Sequence, residues 1–442
     1  MVGQTVSGWS TVRLRQIRFV PFDIGTEIDD DLIKKIDEVM PENNYKKRDL
    51  EKHSEILPSG VSAYDISGRH QLFVFRKGIC VSVLTDEEYN PEDFFSIKSC
   101  QERIDAHRGI LTPEKDPVER YRKDGDEIRA IERLLVSLAD EQIRAMSRFK
   151  RGRKTALTRW ESFNKELNES KKGGLSYVMT LHVITPTGAE PFGNLDWNDI
   201  PKQMRRNIKV LLDPAIIDLE DTSESVGDIE GKKKLMANIN LDSKESEEKD
   251  YEKRENLATF MSWSSVVVVG MPTENEKEND IEEYVILEVI LQSNWYLIHR
   301  KEKTLPSTIE EAKKRKYTAA EMRMDQYKLD RYLEETTYQS GSTLPARFND
   351  IQKGLLSSSR LSIKTARYKR MAKDVSESMM YDYQLRQSRY GGASEILLLI
   401  IAVLNAATIV YSLANNTHGT AVAAAAALVI VVGAYAAWRR YW

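Results

Sequence analysis

The chain has 442 residues, and 30% of them are charged. This length exceeds one ordinary hydrophobic core and predicts about two or three folding units. The net charge of −3 gives no reason to expect a nucleic-acid polymer or an acidic substrate as a partner of the whole molecule.

Four regions in the first 270 residues have the β-branched, partly alternating pattern that is typical of strands. They lie near residues 12–20, 71–84, 175–184 and 260–269. Gly78, inside the second region, predicts the turn of a hairpin. The carboxylates of Asp29–Asp31 precede an apolar helical pattern and favour a helix N-terminus, where they cap free backbone amides. A metal site is the less favoured interpretation of these three residues.

Helical patterns alternate with these strands and then replace them. Residues 126–149 place apolar side chains at helical spacing. Residues 219–256 are mostly charged with few aromatic residues, which predicts a linker or insertion. Residues 281–299 are apolar enough to be buried, and their length favours a helix over a strand.

A further helix is predicted over 308–339, and a second, long one starts near residue 346. At about 1.5 Å per residue, residues 346–389 would extend over roughly 65 Å. Gly391 and Gly392 follow directly. Because glycine weakens a helix by about 1 kcal/mol relative to alanine, this pair predicts a hinge.

The last part of the chain contains two uncharged apolar runs, residues 396–414 and 420–438. Each falls in the range of roughly 17–25 residues that crosses a membrane as a helix. Basic residues before the first run and after the second predict that both termini are cytosolic. The predicted fold is an α+β cytosolic region with long helices, followed by a C-terminal two-helix transmembrane hairpin.

These patterns divide the chain into four predicted parts. They are an N-terminal α+β cytosolic domain over 1–218, a charged linker or insertion over 219–256, a strand and long-helix stalk region over 257–390, and a two-span transmembrane hairpin with a basic tail over 391–442. The chain is thus expected to be an integral membrane protein with most of its mass in the cytosol.

Asn405 and Thr408 are the polar positions in the first apolar run, one helical turn apart. An asparagine in hydrocarbon is disfavoured unless it bonds to another helix or contacts a water-lined pore. Both interpretations stay open, and helix association is the more favoured one.

Four basic residues on the predicted long helix suggest a binding site for an anion. They are Arg360, Lys364, Arg367 and Arg370. An anionic lipid or a phosphate-bearing ligand would suit them. A solvated helix face explains the same pattern equally well.

Signatures of catalysis and of metal binding are missing from the sequence. The six histidines include no pair at i,i+4 spacing, and Cys80 and Cys100 form no CxxC pattern, so we expect neither a zinc site nor a disulfide framework. A Ser–His–Asp arrangement stays open, although no GxSxG elbow occurs. The acidic stretch 274–283 would suit a divalent cation but is more typical of a solvated loop. We therefore expect no enzyme. Because the first residues lack an apolar stretch, we also expect no cleaved secretory signal.

The segment Val410–Ala421 reads VYSLANNTHGTA and joins the two apolar runs. The layout of residues 300–442, with a long helix, two spans, a short loop and the basic tail WRRYW, resembles the CorA-type divalent-cation channels. That family carries Gly-Met-Asn after the first span, usually preceded by Tyr. Here Tyr411 is followed by Ser and Leu, and asparagine occurs only at Asn415 and Asn416, so the signature is absent.

The resemblance implies an oligomeric, CorA-like membrane channel or pore-forming effector that is gated by a ligand on its cytosolic domain. Divergent CorA-like proteins without the signature include antiviral effectors gated by nucleotide-type messengers. The implied partners are the lipid bilayer, further copies of the chain in a homo-oligomer (a pentamer in this family) and a small anionic messenger. A divalent cation is the one cofactor that the family suggests, and a prokaryotic inner membrane is the implied location. The alternative is a membrane-anchored binding or scaffold protein that conducts nothing.

Overall fold

The computed structural model of the chain describes part of its length. The described residues are 11–54, 56–89, 119–147, 160, 177–187, 208, 211, 257–261, 265–270, 277–313, 319–338, 352–356 and 361–413. The chain divides into two compact units. The first, called the sheet unit, comprises Met1–Leu305 and Tyr327–Tyr368, and the second comprises Pro306–Gln326 and Lys369–Trp442. The predicted linker, residues 219–256, lies outside the described residues.

The described strands form one mixed, eight-stranded sheet. They are β1 (Thr11–Asp23), β2 (Lys46–Lys47), β3 (Ser62–Ser67), β4 (His70–Val74), β5 (Ile79–Tyr89), β6 (Met179–Thr187), β7 (Leu257–Met261) and β8 (Ser265–Gly270). Their order across the sheet is β2-β3-β4-β5-β1-β6-β8-β7. Neighbouring strands are antiparallel except β6 and β8, which run parallel. Strands lie in the described part of each region expected from the sequence. The fourth region, expected as one strand over 260–269, contains parts of two strands, β7 and β8, which pair antiparallel.

The hairpin between β4 and β5 turns at Gly78, as predicted. Its amide donates a hydrogen bond to the carbonyl of Phe75 (2.9 Å). Gly78 has a φ of +77°, and a Cβ there would collide with the backbone carbonyl of Thr26. Only glycine meets both conditions without strain.

Two helices pack on one side of the sheet, α1 (Asp30–Glu42) and α2 (Glu119–Ser147). The Asp29 carboxylate accepts a hydrogen bond from the Leu32 amide (2.9 Å) and so caps α1, which confirms the capping interpretation. Inward-facing residues of α1, α2 and the even-numbered positions of β1, β4 and β5 form a single apolar core cluster. Ile17 and Phe19, at odd-numbered positions of β1, are buried as well, so both faces of the sheet are covered.

Three longer helices follow: α3 (Lys277–Lys313), α4 (Ala319–Tyr338) and α5 (Leu361–Leu413), with a helical segment at 352–356 before α5. Helix α3 contains residues 281–299, which confirms the helix that their length favoured over a strand. It is joined to the sheet unit's strands through Arg300, whose guanidinium contacts Asp23 Oδ1 (2.6 Å) and donates to the Lys77 carbonyl (3.0 Å).

The predicted transmembrane hairpin is wrong. Helix α5 does run through the region of the first predicted span and ends at Leu413. Among the described residues, however, no helix is both long enough and apolar enough to cross a membrane. The second predicted span, 420–438, lies outside the described residues.

Candidate ligand-binding site

The structure separates the four basic residues that the sequence suggested as an anion site. Lys364 and Arg367 lie in the first turns of α5, inside the sheet unit. Arg370 is exposed farther along the same helix, where the second unit has begun. Arg360 lies outside the described residues.

The predicted pore and hinge residues lie farther along the chain. Asn405 is on α5, and its side chain is exposed. Thr408 and Tyr411 fall in the same helix, whereas Asn415 and Asn416 lie outside the described residues. Gly391 and Gly392 are helical residues of α5, which continues through both. The pore and hinge roles of these positions stay predictions.

Lys364 and Arg367 meet three residues of α3, and these five side chains are called the Lys364 cluster. The Lys364 ammonium lies over the Trp295 ring, with its Nζ 3.3 Å from the ring centroid. The same Nζ is 3.4 Å from His299 Nδ1 and 3.9 Å from a carboxylate oxygen of Glu302. Arg367 Nε lies 3.9 Å from the other oxygen of Glu302. One carboxylate therefore stands between two cations.

The helical repeat explains why these residues share one place. Trp295, His299 and Glu302 follow one another by four and three residues on α3, so they project from one face of it. The rings of Trp295 and His299 stack with their centroids 5.5 Å apart. Lys364 and Arg367 are three residues apart on α5 and lie on adjacent turns of one face for the same reason.

Tyr177, just before β6, completes the aromatic wall beside Trp295. Its ring meets the Trp295 ring edge-on at a centroid distance of 4.6 Å and lies 6.3 Å from the ring of Tyr296. Such edge-to-face contacts are favourable because ring edges are positive and ring faces negative. The wall fixes the Trp295 plane on which the Lys364 ammonium rests.

The charges of the Lys364 cluster do not cancel. Burial lowers the pKa of His299, and the nearby Lys364 and Lys303 ammonium groups lower it further, so the imidazole is neutral at pH 7. Burial also lowers the pKa of Lys364, while the Glu302 carboxylate opposes this and Arg367 adds to it. With Lys364 and Arg367 positive and Glu302 negative, the cluster keeps an excess of one positive charge.

The contacts of the cluster also leave hydrogen-bond donors in place. The 3.9 Å separations from Glu302 are longer than hydrogen bonds. Among the described residues, none accepts a hydrogen bond from the Arg367 side chain, which is 73% exposed. Arg367 therefore offers a planar fork of donors to solvent beside the half-buried Lys364.

A second constellation is a buried ionic strip between the sheet and α2. Arg18 of β1 contacts Asp86 of β5 and lies 4.0 Å from Asp124 of α2. Arg69 contacts Asp86 (3.0 Å) and also Asp124. Two guanidinium groups thus meet two carboxylates, and Arg18, Asp86 and Asp124 are nearly inaccessible to solvent. Because these cations and carboxylates neutralise one another, the charges can be buried there.

Beside this strip, a serine, a histidine and a glutamate contact one another. The sequence had left open a similar arrangement, Ser–His–Asp. His70 Nδ1 is 3.0 Å from a Glu127 carboxylate oxygen, and His70 Nε2 is 3.1 Å from Ser82 Oγ. Two such contacts orient a nucleophile in hydrolases. Here both Ser82 and His70 are 0% exposed, so a substrate has no access to the hydroxyl. The arrangement therefore serves the packing between the sheet and α2.

Metal binding receives no support from the part of the chain that the structure describes. No group of three or more His, Cys, Asp or Glu side chains within it has a geometry that would hold a metal ion. The predicted acidic stretch 274–283 enters α3, where Glu282 contacts Arg48 and lies 3.2 Å from His53 Nε2. Glu282 is thus used as a partner of basic side chains.

No protein-family model, no curated protein and no solved structure matches the chain significantly. The resemblance to CorA-type channels therefore stays a prediction from the sequence.

Proposed function

We propose that this chain is a non-enzymatic, ligand-responsive binding protein that takes a small phosphate-bearing anion at the Lys364 cluster. The observation that carries the proposal is the excess positive charge of Lys364 and Arg367 at the start of α5, set against the single carboxylate of Glu302. A nucleotide-type messenger is the ligand class that the proposal favours.

The position of these residues in α5 favours an anion further. The helix begins at Leu361, so Lys364 lies in its first turn and Arg367 in the next. The positive end of the helix dipole attracts negative charge at such a place. Both basic side chains add to the same local field.

Lys364 and Arg367 would contribute to binding in different ways. Lys364 is held in position by the Trp295 ring and by His299, so little side-chain freedom is lost when a ligand arrives. The Arg367 side chain is 73% exposed, and its guanidinium matches two phosphate oxygens at once. The proposal keeps the ligand response and the binding role expected from the sequence. It leaves conduction out, because conduction depended on the membrane hairpin.

Catalysis is less well supported than binding. Where the described residues bring a serine, a histidine and a carboxylate together, the Ser82 hydroxyl is fully buried. At the Lys364 cluster, the described contacts of the neutral His299 are the Lys364 ammonium and the rings of Trp295 and Tyr296, and they include no hydrogen bond to a hydroxyl or thiol. The groups there are suited to holding an anion.

Isothermal titration of the full chain with sodium triphosphate and with ATP tests the proposal. We expect both to bind the wild type, and Arg367→Gln to weaken them about tenfold or more, since a charge-assisted hydrogen bond contributes about 1.5–3 kcal/mol. Arg331→Gln is the matched control, because Arg331 of α4 is 69% exposed and pairs with a glutamate one turn away. Titration with vesicles containing anionic lipid separates a lipid headgroup from a free phosphate compound.

Three outcomes would contradict the proposal. The wild type binds neither phosphate compound, or Arg367→Gln binds as well as the wild type, or Arg331→Gln loses as much affinity as Arg367→Gln. The third outcome would mean that binding follows the overall charge of the chain and has no defined site.

A further inference from the structure

Glu288 and Gln292 lie one turn apart on α3, inside the protein. Glu288 is 2% exposed and Gln292 is 4% exposed. Their neighbours along the helix, including Val285, Val289 and Leu291, are buried apolar residues. A carboxylate in such surroundings is expected to have an opposite charge or several hydrogen-bond donors beside it.

This pair lacks one hydrogen-bond donor. Gln292 Nε2 donates to Glu288 Oε1. Among the described residues, neither Glu288 Oε2 nor Gln292 Oε1 has a hydrogen-bond partner. Both of these atoms are acceptors when the carboxyl group is ionised, so two buried acceptors share a place without a donor.

No described cation faces the pair. The ionisable neighbour is Tyr177, before β6, and its hydroxyl lies 3.5 Å from the Gln292 backbone carbonyl. Tyr296 of α3 stands beside Tyr177. Tyr177 and Tyr296 are uncharged phenols at neutral pH, so neither neutralises an ionised Glu288.

We infer that Glu288 binds a proton in the folded protein and that its Oε2–H donates to Gln292 Oε1. The carboxyl group and the amide then form a reciprocal pair, with one hydrogen bond in each direction. The proton comes from solvent and is released when the carboxyl group ionises, so no other reactant is needed. This proton site goes beyond the proposed anion site and does not depend on it.

Electrostatics agrees with the hydrogen-bond geometry. Burial raises the pKa of Glu288 from 4.5 to about 7, and the hydrogen bond from Gln292 limits the rise. An unfolded chain ionises this group from pH 4.5 upward, whereas the folded chain keeps its proton until about pH 7. The folded state is therefore favoured most at low pH and loses this advantage as the pH rises from 4.5 to about 7.

The proton site is placed where it would influence Trp295. Glu288, Gln292 and Trp295 lie on one face of α3, with Trp295 seven positions after Glu288. Tyr177 contacts both the Gln292 carbonyl and the Trp295 ring. Ionisation of Glu288 would place a negative charge about two turns from the ring that holds Lys364.

Urea unfolding of the full chain over a pH series tests the inference. The unfolding equilibrium constant of the wild type should rise, relative to Glu288→Gln, by about two orders of magnitude as the pH passes from 4.5 to 7. Glu288→Gln keeps an amide partner for Gln292 and has no proton to lose. Glu334→Gln, at an exposed position of α4, is the matched control and should retain the dependence of the wild type.

Two further measurements keep the test decisive even where Glu288→Gln folds poorly. Infrared difference spectra of the wild type should show a protonated carboxyl band that disappears near pH 7. Gln292→Leu should change the pH of this transition, because Gln292 bonds to both the protonated and the ionised carboxyl group. The inference is overturned if the band is absent below that pH, or if Glu288→Gln keeps the dependence of the wild type.

Discussion

Two polar regions of the sheet unit differ in how their charges are balanced. Between the sheet and α2, Arg18 and Arg69 meet Asp86 and Asp124, so that cations and carboxylates balance. On α3, the described hydrogen-bond partner of the Glu288 carboxyl group is an amide, and farther along the same helix two cations share one carboxylate. Balanced charges hold a fold together, whereas unbalanced ones attract a proton or an ion. We therefore assign structure to the first region and binding to the second.

The largest expected effect comes from breaking the balance of the ionic strip. Arg18→Met removes one guanidinium and leaves the buried carboxylates of Asp86 and Asp124 with Arg69 as the remaining guanidinium of the strip. We expect the free energy of unfolding to fall by about 3–5 kcal/mol, measured by urea denaturation at pH 7.

The control for this change is Arg331→Gln, which removes a solvent-exposed pair with Glu335. An exposed pair contributes about 1 kcal/mol or less. If Arg18→Met costs no more than this control, the strip does not stabilise the fold, and the contrast between the two regions is lost.

A smaller effect should come from the contact between Lys364 and Trp295. A cation over an aromatic ring contributes about 0.5–2 kcal/mol. A double-mutant cycle of Lys364→Met and Trp295→Leu should therefore give a coupling energy of about 1 kcal/mol in urea unfolding.

The chain offers a natural comparison for this cycle. Lys77 lies over the Tyr332 ring at the longer distance of 5.7 Å, and its cycle with Lys77→Met and Tyr332→Leu should give a weaker coupling. Equal couplings, or none at Lys364, would mean that Lys364 is not held by the ring.

Local features of the fold are readable from the sequence, because their causes are local. The turn at Gly78 needs a positive φ, and the cap at Asp29 needs a carboxylate three residues before the Leu32 amide. Both depend on neighbours in the chain. The helix over 281–299 followed from length, because a strand is seldom so long.

The candidate site depends on contacts between distant positions, which a single sequence does not show. Lys364 meets His299 across 65 positions, and His70 meets Glu127 across 57. The basic spacing on α5 indicated Lys364 and Arg367, but nothing in it indicated Trp295 or Glu302. The transmembrane hairpin, by contrast, was predicted and not found among the described residues. Hydropathy alone predicted membrane spans at 396–414 and 420–438, and the described helices do not support them.

The central claim is tested most directly by the affinity for triphosphate of two variants that change the charge of the Lys364 cluster in opposite directions. Glu302→Gln removes the negative charge of the Lys364 cluster and keeps the shape of the side chain, whereas Lys364→Gln removes a positive charge. If the cluster binds a phosphate-bearing anion, titration calorimetry at low salt should show several-fold tighter binding for Glu302→Gln and at least tenfold weaker binding for Lys364→Gln. Affinities that stay equal to that of the wild type in both variants, or that shift in the same direction, would contradict the account.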